Sequence, residues 1–85
     1  MRIDKFLNST NILKRRSVAQ DMCESGVVFV NDKAVKSSKE VKVGDIIKLV
    51  YLTHTKSYQI LELPSTKTIP KSNSHLYIKD LGEGQ

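Results

Sequence analysis

Apolar positions recur at helical spacing through the first twenty-five or so residues of the chain and at strand spacing after that. Ile3, Phe6 and Leu7 fall at i, i+3 and i+4, which predicts a first helix of about two turns over Arg2 to Asn8 with one apolar face. Asn8-Ser9-Thr10-Asn11 is a turn, and Ile12 and Leu13 are placed to act as the apolar staple before a second helix. In that second helix Val18 pairs with Met22 and Ala19 with Cys23 at i, i+4, giving a buried stripe. Ser17 is expected as its N-cap, with Gln20 completing a capping box, and Gly26 as its left-handed C-terminal cap.

From Val27 the pattern turns β-branched. Val27-Val28-Phe29-Val30 reads as a strand, Asn31-Asp32 as a two-residue turn tolerant of positive φ, and Lys33-Ala34-Val35 as the returning strand. This tight hairpin sends Lys33, and beyond it Lys36 and Lys39, into solvent. Residues 36–40 form a polar loop, Val41-Lys42-Val43 is short and extended, Gly44-Asp45 turns, and Ile46 to Leu52 is a strand. Thr53 to Lys56 is expected to turn and Ser57 to Leu63 to return antiparallel, with the buried face left open between Tyr58/Ile60/Glu62 and Gln59/Leu61/Leu63. Pro64 ends that strand. Ser65 to Ser74, rich in Ser, Thr, Lys and Pro, reads as a mobile linker; Leu76 to Leu81 is an edge strand or a short docking segment, and residues 82–85 should fray. The order helix, helix, hairpin, small antiparallel sheet is α+β.

Charge adds a surface to this outline. With 85 residues the chain supports one domain and one modest core. Its net charge of +5 favours a polyanionic partner. Met1 to Lys48 holds ten Lys/Arg against six Asp/Glu, and every arginine lies in the first sixteen residues. Lys14-Arg15-Arg16 is delivered to the start of helix two, where unpaired N–H groups and the positive end of the helix dipole would join three cations around an anion. That is a phosphate site in outline; the plainer alternative is a run of solvated surface charges. No apolar run is long enough for a membrane span or a signal peptide, and a single cysteine forms no internal disulfide, which together point to a reducing cytoplasm. Cys23 reads as a small buried hydrophobe, and His54 and His75 as surface residues. No metal-ligand spacing, phosphate-binding glycine loop or nucleophile motif is present, so neither catalysis nor a cofactor is expected.

Four segments, Arg2 to Leu7, Lys14 to Ala19, Gly26 to Asn31 and Val41 to Ile47, resemble in order and spacing the RNA-binding domain named after small-subunit ribosomal protein S4. The resemblance covers about residues 1 to 50 and implies a fold in which two helices and the following hairpin grip structured RNA. Carried over by position, it implicates Arg2 and Lys5 in helix one, Lys14, Arg15 and Arg16 at the start of helix two, Gln20 on that helix, and Asn31, Lys33 and Lys36 around the hairpin. Asp4 either orients Arg15 or Arg16 or helps cap helix one, and Asn31 either meets RNA or serves the turn alone. The family usually places glycine after this asparagine; Asp32 stands here, a departure that bears on how closely RNA approaches the hairpin tip. Residues 1–63 would form the domain and 64–85 a flexible C-terminal extension. The whole resembles stand-alone bacterial members of the heat-shock-protein-fifteen and RqcP type. That implies a non-enzymatic protein binding rRNA, and tRNA with it, on the large ribosomal subunit carrying peptidyl-tRNA, in quality control of stalled translation alongside a nascent-chain tailing factor. The alternatives are an adaptor bridging RNA and a protein partner, or an accessory to RNA modification.

Overall fold

The computed structural model describes residues 1–65 and 69–84. Helix α1 (Ile3–Ser9) and helix α2 (Arg16–Glu24) share one core with a five-stranded antiparallel sheet. Its strands are β1 (Val28–Val30), β2 (Lys33–Ala34), β3 (Ile46–Val50), β4 (Thr55–Ile60) and β5 (Ile78–Gly84), in the order β2-β1-β3-β4-β5. In the register Val28 lies opposite Leu49 and Val30 opposite Ile47, so the period-two side chains of two neighbouring strands are buried as a block. Ile3, Phe6 and Leu7 of α1 and Ala19 and Cys23 of α2 complete the core with Leu13, Val41 and Ile60. The fold is α+β, as expected.

The chain before α1 is fastened to the loop before β3. Arg2 forms an isolated antiparallel bridge with Glu40, Ile3 N–H donates to Lys39 O at 2.7 Å, and Val41 N–H donates to Met1 O at 2.9 Å. Between the helices, Asn11 turns the chain at φ 65°, and Asn8 Nδ2 donates to Leu13 O and Lys14 O. These bonds fix the path into α2 and with it the basic triplet.

Several expectations shift. Ser17 is not the N-cap: α2 begins at Arg16, its capping position is Arg15, and no side chain caps it. Gln20 forms no capping box because its amide reaches across to α1 instead. The stripe on α2 is narrower than the apolar pattern implied; Ala19 and Cys23 are buried, Met22 is half-buried, and Val18 is 41% exposed. Strand β3 stops at Val50, Leu52 is fully exposed, and β4 begins at Thr55, so the turn falls two residues earlier than its polar composition indicated. Lys42 and Val43 are exposed and outside the sheet, whereas Val41 is buried.

The segment expected to be mobile after Pro64 is tied down where it is described. Ile69 is buried, its N–H donates to Ser9 O at 3.2 Å, and Asn11 Nδ2 donates to Ile69 O at 2.8 Å and to Ser74 Oγ at 3.2 Å. A 3-10 helix over Lys71–Leu76 then leads into β5, which pairs with β4 from Ile60↔Ile78 to Thr55↔Gly84 across a bulge. Of the two readings of Leu76 to Leu81, the edge strand is the one observed. The fraying expected at the end gives way to pairing through Gly84; residues 66–68 of the expected linker and Gln85 lie outside the described residues. Among the described residues, no helix is long and apolar enough to cross a membrane.

Candidate nucleic-acid interface

Asp4 lies in the first turn of α1 with no solvent exposure, because Ile3, Phe6 and Leu7 draw that turn into the core. A buried carboxylate is costly unless each lone pair is matched by a donor. Here Oδ2 accepts from Arg16 Nε at 3.1 Å, Gln20 Nε2 at 3.0 Å and Arg2 Nη2 at 3.3 Å, and Oδ1 accepts from the Lys5 N–H at 2.8 Å. Burial pushes the Asp4 carboxyl up, but the donors from Gln20, Arg16 and the Lys5 amide, with the Arg16 charge, outweigh it and hold the group below the ordinary carboxylate value. Asp4 therefore engages Arg16 and not Arg15 through Oδ2, while its Oδ1 takes up the Lys5 N–H, one of the first-turn amides of α1 that have no acceptor within the helix.

Arg2 and Arg16 are each 43% exposed while anchored to this one oxygen. Arg16 is held through Nε, which spends one of the five N–H donors of a guanidinium, and its side chain stays 43% exposed. Two like charges that would separate in solution are thus kept side by side, with the cost of fixing their long side chains met before any ligand arrives. Lys14 and Arg15 are exposed beside them, and their side chains have no ion-pair partner among the described residues. The Arg16 and Ser17 amides at the head of α2 likewise meet no backbone acceptor among the described residues. Backbone donors, helix dipole and four cations converge on one patch, an arrangement suited to phosphate.

The hairpin residues are placed differently. Asn31 and Asp32 both have positive φ, 52° and 68°. The Asn31 side chain is occupied internally, with Nδ2 donating to Asp45 Oδ1 at 3.2 Å and Oδ1 accepting the Ile46 N–H at 3.0 Å. Lys33 and Lys36 are exposed, and neither joins the Asp4 cluster. The loop after Lys36 nevertheless lies against the head of α1, since Ser37 O accepts the Asp4 N–H at 3.4 Å. Asn8 and Asn11, which hold the basic triplet's approach in place, were not singled out from sequence; two asparagines flanking a turn were the available signal. Among the described residues no group of three or more His, Cys, Asp or Glu is arranged to hold a metal ion. His54 instead stacks on Tyr51, ring centroids 4.7 Å apart.

The S4 domain family matches residues 1–47, the span that holds both helices, the hairpin and the Asp4 cluster. The chain belongs to the S4 domain family. It is 51% identical over 78 residues to the RQC P-site tRNA stabilizing factor of Helicobacter pylori, covering 92% of this chain and 93% of that one. It is 33% identical over 86 residues to the protein of the same name from Bacillus subtilis, covering 98% and 100%. The structure of Vibrio cholerae Heat Shock Protein 15 matches this S4 domain chain with a TM-score of 0.84 at 28% identity, over 94% of this chain and 80% of that one. That match reaches past residue 47 and so takes in part of the sheet as well as the helices.

Proposed function

We propose that this S4 domain protein binds structured ribosomal RNA without catalysing a reaction, acting on the large ribosomal subunit that carries peptidyl-tRNA after translation has stalled. The observation that carries the reading is the pair Arg2 and Arg16 clamped to the buried Asp4 beside the unpaired head of α2. Such a patch reads RNA through phosphate spacing and helix shape, with little dependence on base sequence. The name RQC P-site tRNA stabilizing factor, carried by relatives that align over nearly the whole chain, supports the finer parts of the proposal: contact with tRNA, a cytoplasmic site of action and a place in ribosome-associated quality control. A nascent-chain tailing factor is the protein partner that this role implies.

The test is sedimentation of cell lysate through sucrose at two salt concentrations, comparing wild type with Arg15→Ala/Arg16→Ala. Wild type is expected to migrate with free large subunits at low salt, to leave them at high salt, and to lose the association in the double variant. If wild type remains at the top of the gradient at low salt, ribosome binding is excluded.

A further inference from the structure

The connection that carries Lys14 and Arg15 from α1 to the head of α2 is held from two sides. On its inner side Asn8 Nδ2 donates to Leu13 O at 3.3 Å and to Lys14 O at 3.0 Å, and the Leu13 N–H donates to Leu7 O at 3.0 Å. On its outer side stands a segment from far along the chain. Asn11 Nδ2 donates to Ile69 O at 2.8 Å and to Ser74 Oγ at 3.2 Å, one acceptor for each of the two N–H donors of its amide. The Ile69 N–H donates in turn to Ser9 O at 3.2 Å, and the Ile69 side chain is buried. Ile69 therefore bonds through both backbone groups to Ser9 and Asn11, the residues on either side of Thr10, the C-cap of α1.

Asn11 is where this grip bears on the candidate interface. Its backbone is left-handed, φ 65°, and a residue with a Cβ holds that conformation where its surroundings fix it. Asparagine tolerates the conformation, and the bonds to Ile69 and Ser74 fix it. Lys14 and Arg15 follow within the same connection with exposed side chains and no ion-pair partner among the described residues, so the path of the backbone aims them. Arg16 differs, being aimed by Asp4. A loop already in place when RNA arrives loses little further freedom on binding. Ile69 and Ser74 lie beyond residues 1–47, the span matched by the S4 domain family. We infer that Ile69 to Ser74 is a strap that positions the Lys14/Arg15 end of the RNA site, with Asn11 as the positioning residue through which it acts. The inference rests on the RNA-binding reading above and extends it to a residue and a chain segment that shape the site without contacting the ligand.

The test compares wild type with Asn11→Gly, Asn11→Asp and, as a control, Ile78→Val. Glycine loses the amide but relieves the backbone at φ 65°, so that variant should keep the fold. Aspartate keeps the size and the tolerance of positive φ but sets an oxygen against Ile69 O. Ile78→Val trims a half-buried strand residue packed against the core and leaves every bond of the turn in place. Urea denaturation first establishes that each variant is folded under the binding conditions. Order parameters of the Lys14 and Arg15 amides, from NMR relaxation of the free protein, are expected to fall from about 0.85 to below about 0.6 in both Asn11 variants and to hold in the control. Co-sedimentation with purified large ribosomal subunits over a salt series is expected to give a log-affinity against log-salt slope less negative by about 0.7 to 1.8 in both Asn11 variants, the loss of about one or two phosphate contacts, and an unchanged slope in Ile78→Val. Unchanged order parameters overturn the strap. A fall in order with an unchanged slope, or an equal change in the control, overturns the positioning role of Asn11 and leaves the RNA-binding reading standing. If wild type does not sediment with the subunits at the lowest salt, the RNA-binding reading falls and the strap's role with it.

Discussion

A carboxylate with no solvent exposure is tolerated only when donors replace the water it has lost, and Asp4 meets four of them from Arg2, Lys5, Arg16 and Gln20. Asp4→Asn presents an N–H₂ group to donors that need an acceptor, and urea denaturation at neutral pH is expected to show an unfolding free energy lower by about 1 to 3 kcal/mol, the range for leaving a buried polar group unmatched. The sign with pH follows from the lowered folded-state pKa. The carboxylate's contribution is complete above the ordinary carboxylate value and is lost as pH falls below it, through the folded value. The gap in urea midpoint between wild type and Asp4→Asn should therefore close on acidification; a gap that is constant from neutral to strongly acid pH would place the stabilisation elsewhere. Cys23 behaves in the opposite sense, since burial and the nearby Asp4 charge push its thiol up. Iodoacetamide should label it slowly in the native protein at neutral pH and quickly in denaturing urea, and fast native labelling would contradict its burial. At this scale the sequence named the participants better than their partners. Asp4 was open between orienting Arg15 or Arg16 and helping to cap helix one, and it bonds both Arg16 and the Lys5 amide; the target of Gln20 was not legible, because the capping box assumed a helix start two residues later than the one adopted.

The hairpin carries the clearest element-scale consequence. Its two turn residues both sit at positive φ, the requirement of a tight turn whose twist matches the flanking strands. Asn31 tolerates that conformation and is fixed by Asp45 and the Ile46 amide, whereas Asp32 carries a Cβ at φ 68° with no hydrogen bond from its side chain among those described. Asp32→Gly should raise stability by about 0.5 kcal/mol, a rise of roughly 2–4 °C in Tm for a domain of this size. Asn31→Ala should lower stability by about 2 kcal/mol through two lost bonds and a strained backbone. Calorimetry of both variants checks the pair, and a destabilised Asp32→Gly would mean that the Asp32 side chain does something the turn geometry does not require. The hairpin was legible because Asn-Asp between β-branched runs has a local physical meaning. Strand β4 was misplaced by about two residues because Tyr51-Leu52 continues the apolar pattern past the point where β3 pairing ends, and pattern alone does not say where pairing stops. β5 was left open between two readings since its edge position depends on pairing with β4, and the path to it depends on Asn11 meeting Ile69 from 58 residues away.

For the molecule as a whole, charge is segregated by layer. The helix start and the hairpin side hold most of the excess, and the far edge of the sheet, β5 with the 3-10 helix, carries Lys71, Lys79 and Asp80. Lys56 Nζ reaches Asp80 at 3.4 Å, so part of the charge on that edge is matched locally. On the basic side Asp4 offsets one of the two guanidinium groups it holds, Lys14 and Arg15 stand unmatched, and Lys33, Lys39 and Lys42 outnumber Asp45, which among the described residues lacks a cationic partner. The surface thus presents a net positive charge of about five to an RNA backbone, which predicts a log-affinity against log-salt slope of roughly −3.5 to −4.5, the limits set by single-strand and duplex coefficients. The same measurement reads the helix start directly: Arg15→Ala/Arg16→Ala removes two phosphate contacts and should make the slope less negative by about 1.4 to 1.8. A wild-type slope near −1 would mean that this basic face does not lie on the RNA, whatever the affinity, since tight binding without counterion release would have to come from contacts elsewhere on the molecule.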